Sequence, residues 1–236
     1  MNDGSTDGTG EILDRLSRAC PEQIRHITMK RNRGKAEAVR LGFLESFASG
    51  YNVIGYWDAD LATPLETIPR FCELLEGREV DGVIGSRVLL LGRHIRRRAV
   101  RHYLGRVFAT CASLAIGLPV YDTQCGAKIF RNTERLRQVF HTPFRVNWTF
   151  DVEILARFLL LERIFGGPAT RDRFVEYPLE RWDDVPGSKL KGRDFLRGAL
   201  EILKIGCWLR SPRAERRFLA TLLEERGIQK MNGISR

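Results

Sequence analysis

Residues 56–64 read Tyr56-Trp57-Asp58-Ala59-Asp60-Leu61-Ala62-Thr63-Pro64 and place two carboxylates where an apolar run ends. The run, residues 51–57, is typical of a buried strand. Asp58 and Asp60 follow its carboxyl end, where ligands bind in an open α/β sheet, and suit a hard cation such as Mg²⁺ or Mn²⁺. A structural alternative is that the acidic pair only ends the strand and caps the helix that Pro64 begins.

Strand-like and helix-like segments alternate on both sides of this stretch. The predicted strands are residues 24–29, 51–57, 80–86, 127–130 and 174–177, and the predicted helices include residues 35–48, 65–75, 97–116, 151–161 and 194–210. Another helical pattern contains Ile12, Leu13 and Leu16. Such alternation predicts an α/β fold with a mostly parallel sheet flanked by helices. We expect one domain at residues 1–190, followed by a basic, amphipathic helical extension at residues 191–236.

The composition is that of a globular, basic protein. Hydrophobic residues make up 43% of the 236 residues, enough for a sizeable core, and the formal net charge is +10. The charge predicts anionic partners, which could be nucleic acid, an acidic membrane surface or phosphorylated substrates.

The five cysteines form no Cys-x-x-Cys pair, and their odd number argues against a disulfide framework. A reducing, cytoplasmic setting is therefore expected. No apolar run reaches the roughly 18 residues that a membrane-spanning helix needs.

Residues 2–9 form a second polar segment, Asn-Asp-Gly-Ser-Thr-Asp-Gly-Thr. An EF-hand loop is a weak alternative because no helix precedes it and Asp14 stands where a bidentate Glu is needed. The segment instead predicts a glycine-rich loop before a helix, in which the backbone and Asp3 contact a nucleotide.

Six short motifs together resemble the family 2 inverting glycosyltransferases, in the order found in that family. They are NDGSTDGT at residues 2–9, NRGK at 32–35, DADLAT at 58–63, GSR at 85–87, DTQCGAK at 122–128 and GSK at 187–189. Within the family, residues 62–63, 122–126 and 150–153 look most like the dolichyl-phosphate β-glucosyltransferase branch. The resemblance implies a nucleotide-diphospho-sugar transferase fold of the GT-A, Rossmann-like type.

The resemblance implies a donor site for a nucleotide sugar. The residues implied to bind the donor are Asp3, Gly4, Ser5, Lys35, Asp58, Ser188 and Lys189. Asp60, with Asp58 beside it, is implied to hold Mg²⁺ or Mn²⁺ at the diphosphate. One departure matters here, since Ala62 stands where the mannose synthases carry a Gln that helps to hold the metal. Arg181 is interpreted as the equivalent of an arginine that those enzymes place before the Gly-Ser-Lys turn.

The resemblance also implies an acceptor site. Arg87 matches a position that contacts the acceptor phosphate, and Arg97 and Arg101, four residues apart, share a helix face. Asp122 is either a base or orienting group, or a structural residue that ties its own loop. Asp151 and Glu153 are interpreted as helix-start residues that could support the site from behind.

Six arginines between residues 93 and 106 precede an apolar helical pattern. A solvated basic helix or a nucleic-acid patch is an alternative, but no nucleic-acid-binding module is recognisable, so nucleic acid is not a predicted partner. We favour a site where arginines meet anionic lipid head groups and the acceptor phosphate. The apolar face of residues 194–210 could lie in a membrane surface, pack on the catalytic domain or form a homodimer.

The sequence thus predicts a metal-dependent, inverting transfer of a hexose, with UDP-glucose the expected donor, to a polyprenyl or dolichyl phosphate. The expected location is peripheral, on the cytoplasmic face of a membrane. One alternative keeps the fold but uses a soluble or polysaccharide acceptor. Another is an inactive fragment or basic binding protein, because relatives begin before Asn2 with a strand, a helix and a strand that are expected to be missing here.

Overall fold

The computed structural model describes residues 1–96, 99–184 and 192–233. Its elements in chain order are α1 (Thr9–Ala19), α2 (Lys35–Ala48), β1 (Val53–Trp57), α3 (Ile68–Glu76), β2 (Gly82–Ser86), β3 (His94–Arg96), α4 (Ala99–Ile116), β4 (Ala127–Arg131), α5 (Glu134–His141), α6 (Phe150–Phe165), β5 (Phe174–Pro178), β6 (Arg181–Asp183), α7 (Gly192–Arg210) and α8 (Ala214–Gly233). The predicted α/β architecture, with helices flanking a sheet, is confirmed.

The main sheet has four strands in the order β1-β4-β2-β5. Three strands, β1, β2 and β5, run in one direction, and β4 runs against its two neighbours. The reversal of β4 was not predicted, because an apolar run carries no information about strand direction. It brings Ala127, at the start of β4, opposite Trp57, at the end of β1, so that the loop before β4 reaches the acidic turn.

Alternating side chains of the sheet support a helical layer on each face. Ile54, Ile84 and Phe130 point toward α2, α5 and α6 and belong to the larger hydrophobic core. Val83 and Ile129 point to the other face and pack with Phe71 and Leu75 of α3. The central helix α6 is apolar around most of its circumference because it lies between the sheet and the C-terminal helices, and its buried residues extend from Phe150 to Leu161.

The C-terminal helices pack on the same core. Ile202, Ile205 and Leu209 of α7 and Phe218 of α8 are buried in the cluster that surrounds α6. This packing accounts for one apolar side of α7, whereas Leu196, Leu200 and Leu203 on its other side remain exposed. The expected boundary at residue 190 lies outside the described residues.

The prediction of a strand at residues 24–29 is wrong. Only one parallel bridge forms, between Thr28 and Asn2. The Asn2 N–H donates to Ile27 O at 2.8 Å and the Met29 N–H donates to Asn2 O at 3.0 Å. A longer strand needs a longer partner, and apolar residues alone do not supply one.

Strand β1 forms an open edge of the sheet. The carbonyl of Asn52 and the N–H of Asp58 both bond toward the β4 side, to Asn132 N and Gly126 O. Because successive residues of a strand direct their backbone polar groups to alternate sides, those of Val53, Gly55 and Trp57 face away from β4. In the described part of the chain, no strand pairs with that edge.

Candidate active site

Asp58 lies immediately after β1 and forms an ion pair with Lys35 at the start of α2. The Lys35 Nζ is 2.6 Å from Asp58 Oδ1, and the Asp58 side chain is 37% exposed. A Cβ atom built on Gly126 would lie 2.0 Å from the Asp58 carboxyl carbon. Glycine at residue 126 is therefore required for this position of the carboxylate.

Asp60 lies at the tip of an exposed turn. Its Oδ1 accepts a hydrogen bond from the N–H of Ala62 at 3.0 Å, and the Leu61 N–H donates to Asp58 O at 3.1 Å. Leu61 has a φ of 54°, a backbone conformation that a branched side chain rarely adopts. The turn thus holds both predicted carboxylates at the carboxyl end of β1.

Asp3 is fixed beside the loop that leads into α2. Its carboxylate accepts from the Asn32 side-chain amide at 3.0 Å and from the Ser5 hydroxyl at 3.3 Å. Gly4 has a φ of 86°, and a Cβ there would lie 2.8 Å from the backbone of residues 31 and 32. The two loops can approach each other because Gly4 has no side chain.

A cleft of about 800 Å³, here called the large cleft, runs between the open edge of β1 and residues 1–3. Its lining includes four of the predicted donor-binding residues, Asp3, Ser5, Lys35 and Asp58. The predicted grouping of residues distant in sequence is therefore present at one surface.

A buried charge network of Lys128, Asp151 and Tyr56 lies next to Lys35. The Lys128 ammonium is 2.5 Å from Asp151 Oδ1, the Tyr56 hydroxyl also donates to Asp151, and Lys128 and Asp151 are both nearly inaccessible. Burial lowers the pKa of Lys35, but the Asp151 and Asp58 carboxylates raise it more, so the net shift is upward. Lys35 therefore stays a cation at neutral pH.

Arg87 and Asp122 form a second, more buried ion pair. The Asp122 carboxylate accepts from Arg87 Nε at 2.7 Å, from Nη2 at 2.8 Å and from the backbone N–H at 3.0 Å. The Glu176 carboxylate in turn accepts from the N–H groups of Tyr121 and Asp122, at 2.7 and 2.8 Å. Burial is the main cause that raises the pKa of Glu176. The arrangement presents an oriented guanidinium.

A cavity of about 260 Å³, here called the inner cavity, adjoins this pair. Arg106 stacks on the Tyr121 ring, 3.3 Å from its centroid, and donates to Tyr121 O at 3.0 Å. Trp148 and Phe195 add aromatic walls. Both Lys35 and Asp58 line the inner cavity as well as the large cleft, so the two compartments meet at this one ion pair.

Two polar atoms at the inner cavity have no partner within the described residues. They are the Thr123 hydroxyl and the Gln124 side-chain nitrogen, both buried without a hydrogen bond. Orphaned buried groups are uncommon in native proteins and often mark a place that a ligand fills.

Several predicted site residues cannot be placed in this site. Arg97, Ser188 and Lys189 lie outside the described residues, and Arg101 is described only as part of the backbone of α4. Arg181 lies in β6, where its exposed guanidinium pairs with Asp183 at 2.7 Å.

Sequence reasoning did not predict the roles of Glu176, Tyr121 and Trp148. Glu176 lies in a strand pattern that gave no sign of a ligand, and its contacts depend on the pairing of β2 with β5. Lys128 did carry a signal, because a lysine inside an apolar strand needs a buried counter-charge. Asp151, predicted to support the site, supplies that counter-charge.

Comparison with known proteins gives a consistent pattern. The profile described as Glycosyl transferase family 2 matches residues 1–154. A dolichyl-phosphate beta-glucosyltransferase of Trichomonas vaginalis is 29% identical over 216 residues, covering 89% of this chain and 60% of the relative. The dolichyl-phosphate beta-glucosyltransferase of Saccharomyces cerevisiae is 30% identical over 206 residues, covering 80% of this chain and 58% of the relative. The chain thus spans less than two thirds of the length of these relatives.

The fold also resembles a solved structure, glucosyl-3-phosphoglycerate synthase from Mycobacterium tuberculosis in complex with Mn²⁺ and UDP-glucose. The TM-score is 0.54 at 17% identity, and the match covers 88% of this chain and 65% of that chain. At this level of identity the likeness concerns the fold.

Proposed function

The chain belongs to Glycosyl transferase family 2, and from that premise we propose that it transfers glucose from UDP-glucose to a polyprenyl phosphate such as dolichyl phosphate. The observation that carries the proposal is that the large cleft and the inner cavity meet at the Lys35–Asp58 pair. One compartment offers carboxylates and the other offers arginines. A donor and an anionic acceptor can therefore approach each other from opposite sides of one ion pair.

The large cleft suits the nucleotide sugar. Asp3 lies at the cleft with a carboxylate that is free to accept from a nucleobase N–H while Asn32 and Ser5 fix its orientation. Lys35 is a cation beside Asp58, a position suited to contact with the donor's phosphates or sugar. The similar curated proteins are named glucosyltransferases, which supports glucose as the sugar. The structural neighbour is in complex with UDP-glucose, which is consistent with UDP as the carrier.

The residues present fit a divalent metal in part. Asp60 and Asp58 supply hard carboxylate oxygens of the kind that Mg²⁺ and Mn²⁺ prefer. Within the described ranges, no three His, Cys, Asp or Glu side chains form a group that could hold a metal ion. The donor's diphosphate oxygens and water must therefore complete the coordination. When bound, the metal would neutralise charge on the departing nucleoside diphosphate, with Asp60 as its principal protein ligand.

The inner cavity suits the acceptor phosphate. Arg87 presents a guanidinium that Asp122 orients, and Arg106 lies in the same wall. Because both Asp122 oxygens accept from Arg87, we assign Asp122 to orienting this arginine and not to general-base catalysis. A phosphate monoester has a second pKa of about 6, so at neutral pH it is already a nucleophile and requires no base.

Transfer is then a single displacement at the anomeric carbon. An acceptor phosphate oxygen forms the new bond to that carbon as the bond to the UDP oxygen breaks, and UDP leaves with the electron pair. Attack opposite the leaving group converts an α-linked donor into a β-linked product. The protein's contribution is to hold two anions in line against their mutual repulsion.

The test is an incubation of the purified chain with radiolabelled UDP-glucose, dolichyl phosphate in detergent and either Mg²⁺ or Mn²⁺. We expect label in the organic phase as a glycolipid, and its loss on chelation of the metal. Soluble phosphates and oligosaccharides run in parallel as acceptors. Labelled soluble products without labelled lipid would overturn the lipid acceptor, and no UDP-glucose binding by calorimetry would overturn the donor assignment.

A further inference from the structure

The loop that immediately precedes β4 is held by hydrogen bonds at two points. The backbone N–H of Gln124 donates to Asp122 Oδ1 at 3.1 Å. The carbonyl of Gly126 accepts from the Asp58 N–H at 2.8 Å, so the loop is tied to a residue that lines both compartments of the site. The backbone on either side of the Gln124 side chain is thus fixed.

Two side chains of this loop reach the inner cavity without a hydrogen-bond partner in the described part of the chain. Thr123 is 1% exposed and its hydroxyl bonds to no described group, and the Gln124 Nε2 atom is buried in the same state. Both residues line the inner cavity. Because a buried donor without an acceptor destabilises a fold, such atoms are expected to meet a polar atom of a ligand.

The inner cavity combines these polar groups with aromatic rings. Its volume of about 260 Å³ is larger than a phosphate group, which leaves room for a ring beside it. The Trp148 ring packs edge-on against Phe108 and Phe195, with centroids 5.3 and 6.2 Å away. A pyranose carries hydroxyl groups around its edge and C–H groups on its faces. It therefore fits a pocket in which aromatic walls supply contact area and a few polar groups fix the orientation.

The position of the loop favours the transferred sugar over the acceptor phosphate as the partner. With the donor in the large cleft and the acceptor phosphate in the inner cavity, the sugar lies where the two meet, at Asp58. A Cβ on Gly126 would overlap the Asp58 carboxylate, so the loop borders this point directly. An amide and a hydroxyl are neutral and suit a sugar hydroxyl, whereas Arg87 and Arg106 supply the cations that suit a phosphate.

We propose that Gln124 and Thr123 bind hydroxyl groups of the transferred glucose and determine which sugar is accepted. The inference rests on the proposed transfer of glucose from UDP-glucose and adds the residues that recognise that sugar. A site that hydrogen-bonds a substrate hydroxyl discriminates strongly against a substrate that lacks it, because the buried polar groups of the site are then left unpaired.

The first test combines Gln124→Ala with UDP-glucose and its four monodeoxy analogues, each of which lacks one sugar hydroxyl. The variant should lower kcat/KM for UDP-glucose by about 30-fold. For the deoxy donor that lacks the hydroxyl bound by Gln124, the variant and the unchanged chain should differ by less than about twofold, because neither can form that hydrogen bond. An equal loss for all five donors, or no loss for UDP-glucose, would overturn the proposal.

The matched control is Gln138→Ala, which removes a glutamine of α5 that lines neither compartment. It should keep the kcat/KM of the unchanged chain for every donor.

Binding provides a second readout that does not depend on turnover. In calorimetry with Mn²⁺, Gln124→Ala should bind UDP-glucose about tenfold more weakly and should bind UDP as tightly as the unchanged chain does, because UDP has no sugar. Equal weakening of both ligands would contradict a contact with the sugar. A change confined to the KM for dolichyl phosphate would instead assign Gln124 to the acceptor and overturn the proposal.

Thr123→Val separates ligand binding from a structural role. The substitution replaces a hydroxyl that has no partner among the described residues, so the melting temperature should not fall. The kcat/KM for UDP-glucose should fall about tenfold, and Thr123→Ser, which keeps the hydroxyl, should restore most of it. A large fall in the melting temperature of Thr123→Val would show that the hydroxyl serves the fold, and would overturn its assignment to the sugar.

These outcomes are separable from those of the proposed function. If the unchanged chain transfers glucose while Gln124→Ala responds identically to all five donors, only this inference fails. If the unchanged chain forms no glycolipid, the proposed lipid acceptor fails, and the comparison of UDP with UDP-glucose in calorimetry still decides whether Gln124 contacts the sugar.

Discussion

The two compartments of the site differ in how completely the protein itself pairs their charges. At the large cleft, the partly exposed Asp58 pairs with Lys35, and Asp60 stands on the exposed turn that follows, just beyond the residues that line the cleft. At the inner cavity, Arg87 is locked to Asp122 with both side chains only 13% and 12% exposed, and Glu176 holds the next loop in place. The carboxylates of this turn are thus accessible to solvent, whereas the charged groups of Arg87 and Asp122 are largely buried against each other.

This difference predicts that substitutions of Asp58 or Asp60 mainly lower enzymatic turnover, whereas substitution of Asp122 mainly lowers the free energy of unfolding. The largest effect should come from Asp60→Ala. Removing the proposed principal metal ligand should lower turnover by about 10⁴-fold, about 5 kcal/mol of transition-state stabilisation, with little change in the melting temperature. Asp58→Ala should be less severe. Turnover across a Mn²⁺ titration measures both, with Glu66→Ala as the control on the same exposed segment.

Near-normal, metal-dependent turnover in Asp60→Ala would show that the cleft is not the metal site. A large fall in its melting temperature would instead show that the acidic turn, like the inner cavity, contributes to the stability of the fold.

The next effect concerns the buried pair. Asp122→Ala leaves the Arg87 guanidinium buried without its partner and should lower the free energy of unfolding by about 3 kcal/mol. Urea denaturation measures this, and Asp183→Ala, which breaks the exposed pair with Arg181, is the control with an expected change of about 0–1 kcal/mol. Equal stability of the two variants would mean that the cavity is no better organised than the surface.

Gly126→Ala tests the point where the two compartments meet, because its added methyl group would contact Asp58, which lines both the large cleft and the inner cavity. The added methyl group would occupy the space of the Asp58 carboxylate, which has an exposed side to move toward. A carboxylate displaced by about 1 Å should cost about 100-fold in turnover with a smaller loss of stability. Steady-state kinetics and thermal unfolding of the same preparation check both parts.

The smallest effect is a pH dependence at Cys125. Burial raises the pKa of this thiol from 9.0 to about 11. The folded chain then keeps a proton that the unfolded chain loses, so the stabilisation is complete below pH 9 and is lost as the pH rises toward 11. Melting temperatures between pH 8 and 11 should fall by a few degrees more in the unchanged chain than in Cys125→Ala.

Thiol alkylation at pH 8 supplies the control for that prediction. Cys20, Cys111 and Cys207 are exposed and should react, whereas Cys125 is buried and should not. Rapid labelling of Cys125 in the folded chain would contradict its burial.

The sequence predicted the elements whose patterns are local. Residues 35–48 form α2 with the predicted ends, and residues 127–130 belong to β4. The Asp58–Asp60 turn was predictable because a strand, an acidic pair and a proline occur in direct succession. The resemblance to family 2 glycosyltransferases implied that Asp3, Lys35 and Asp58 contact one donor, and all three line the large cleft.

Features that depend on distant partners were not predictable. Ile24 to Met29 have strand-like composition, but only Asn2 pairs with Thr28. The direction of β4 and the contact of Glu176 with residues 121–122 follow from how strands assemble, which no short window records. The exposed side of α7 was visible as an apolar pattern, yet its position beside α4 needed the contacts of Gly198 and Gly206.

The open edge of β1 has a consequence for the protein's behaviour in concentrated solution. Val53, Gly55 and Trp57 direct backbone donors and acceptors away from β4, where no strand of the described residues pairs with them. Unpaired strand edges are templates for intermolecular strand addition. The rate at which the folded protein aggregates would then depend on protein concentration and on ligand occupancy of the large cleft more than on the melting temperature. UDP-glucose in the storage buffer should therefore slow the increase of light scattering with time, at a concentration that barely changes the melting temperature.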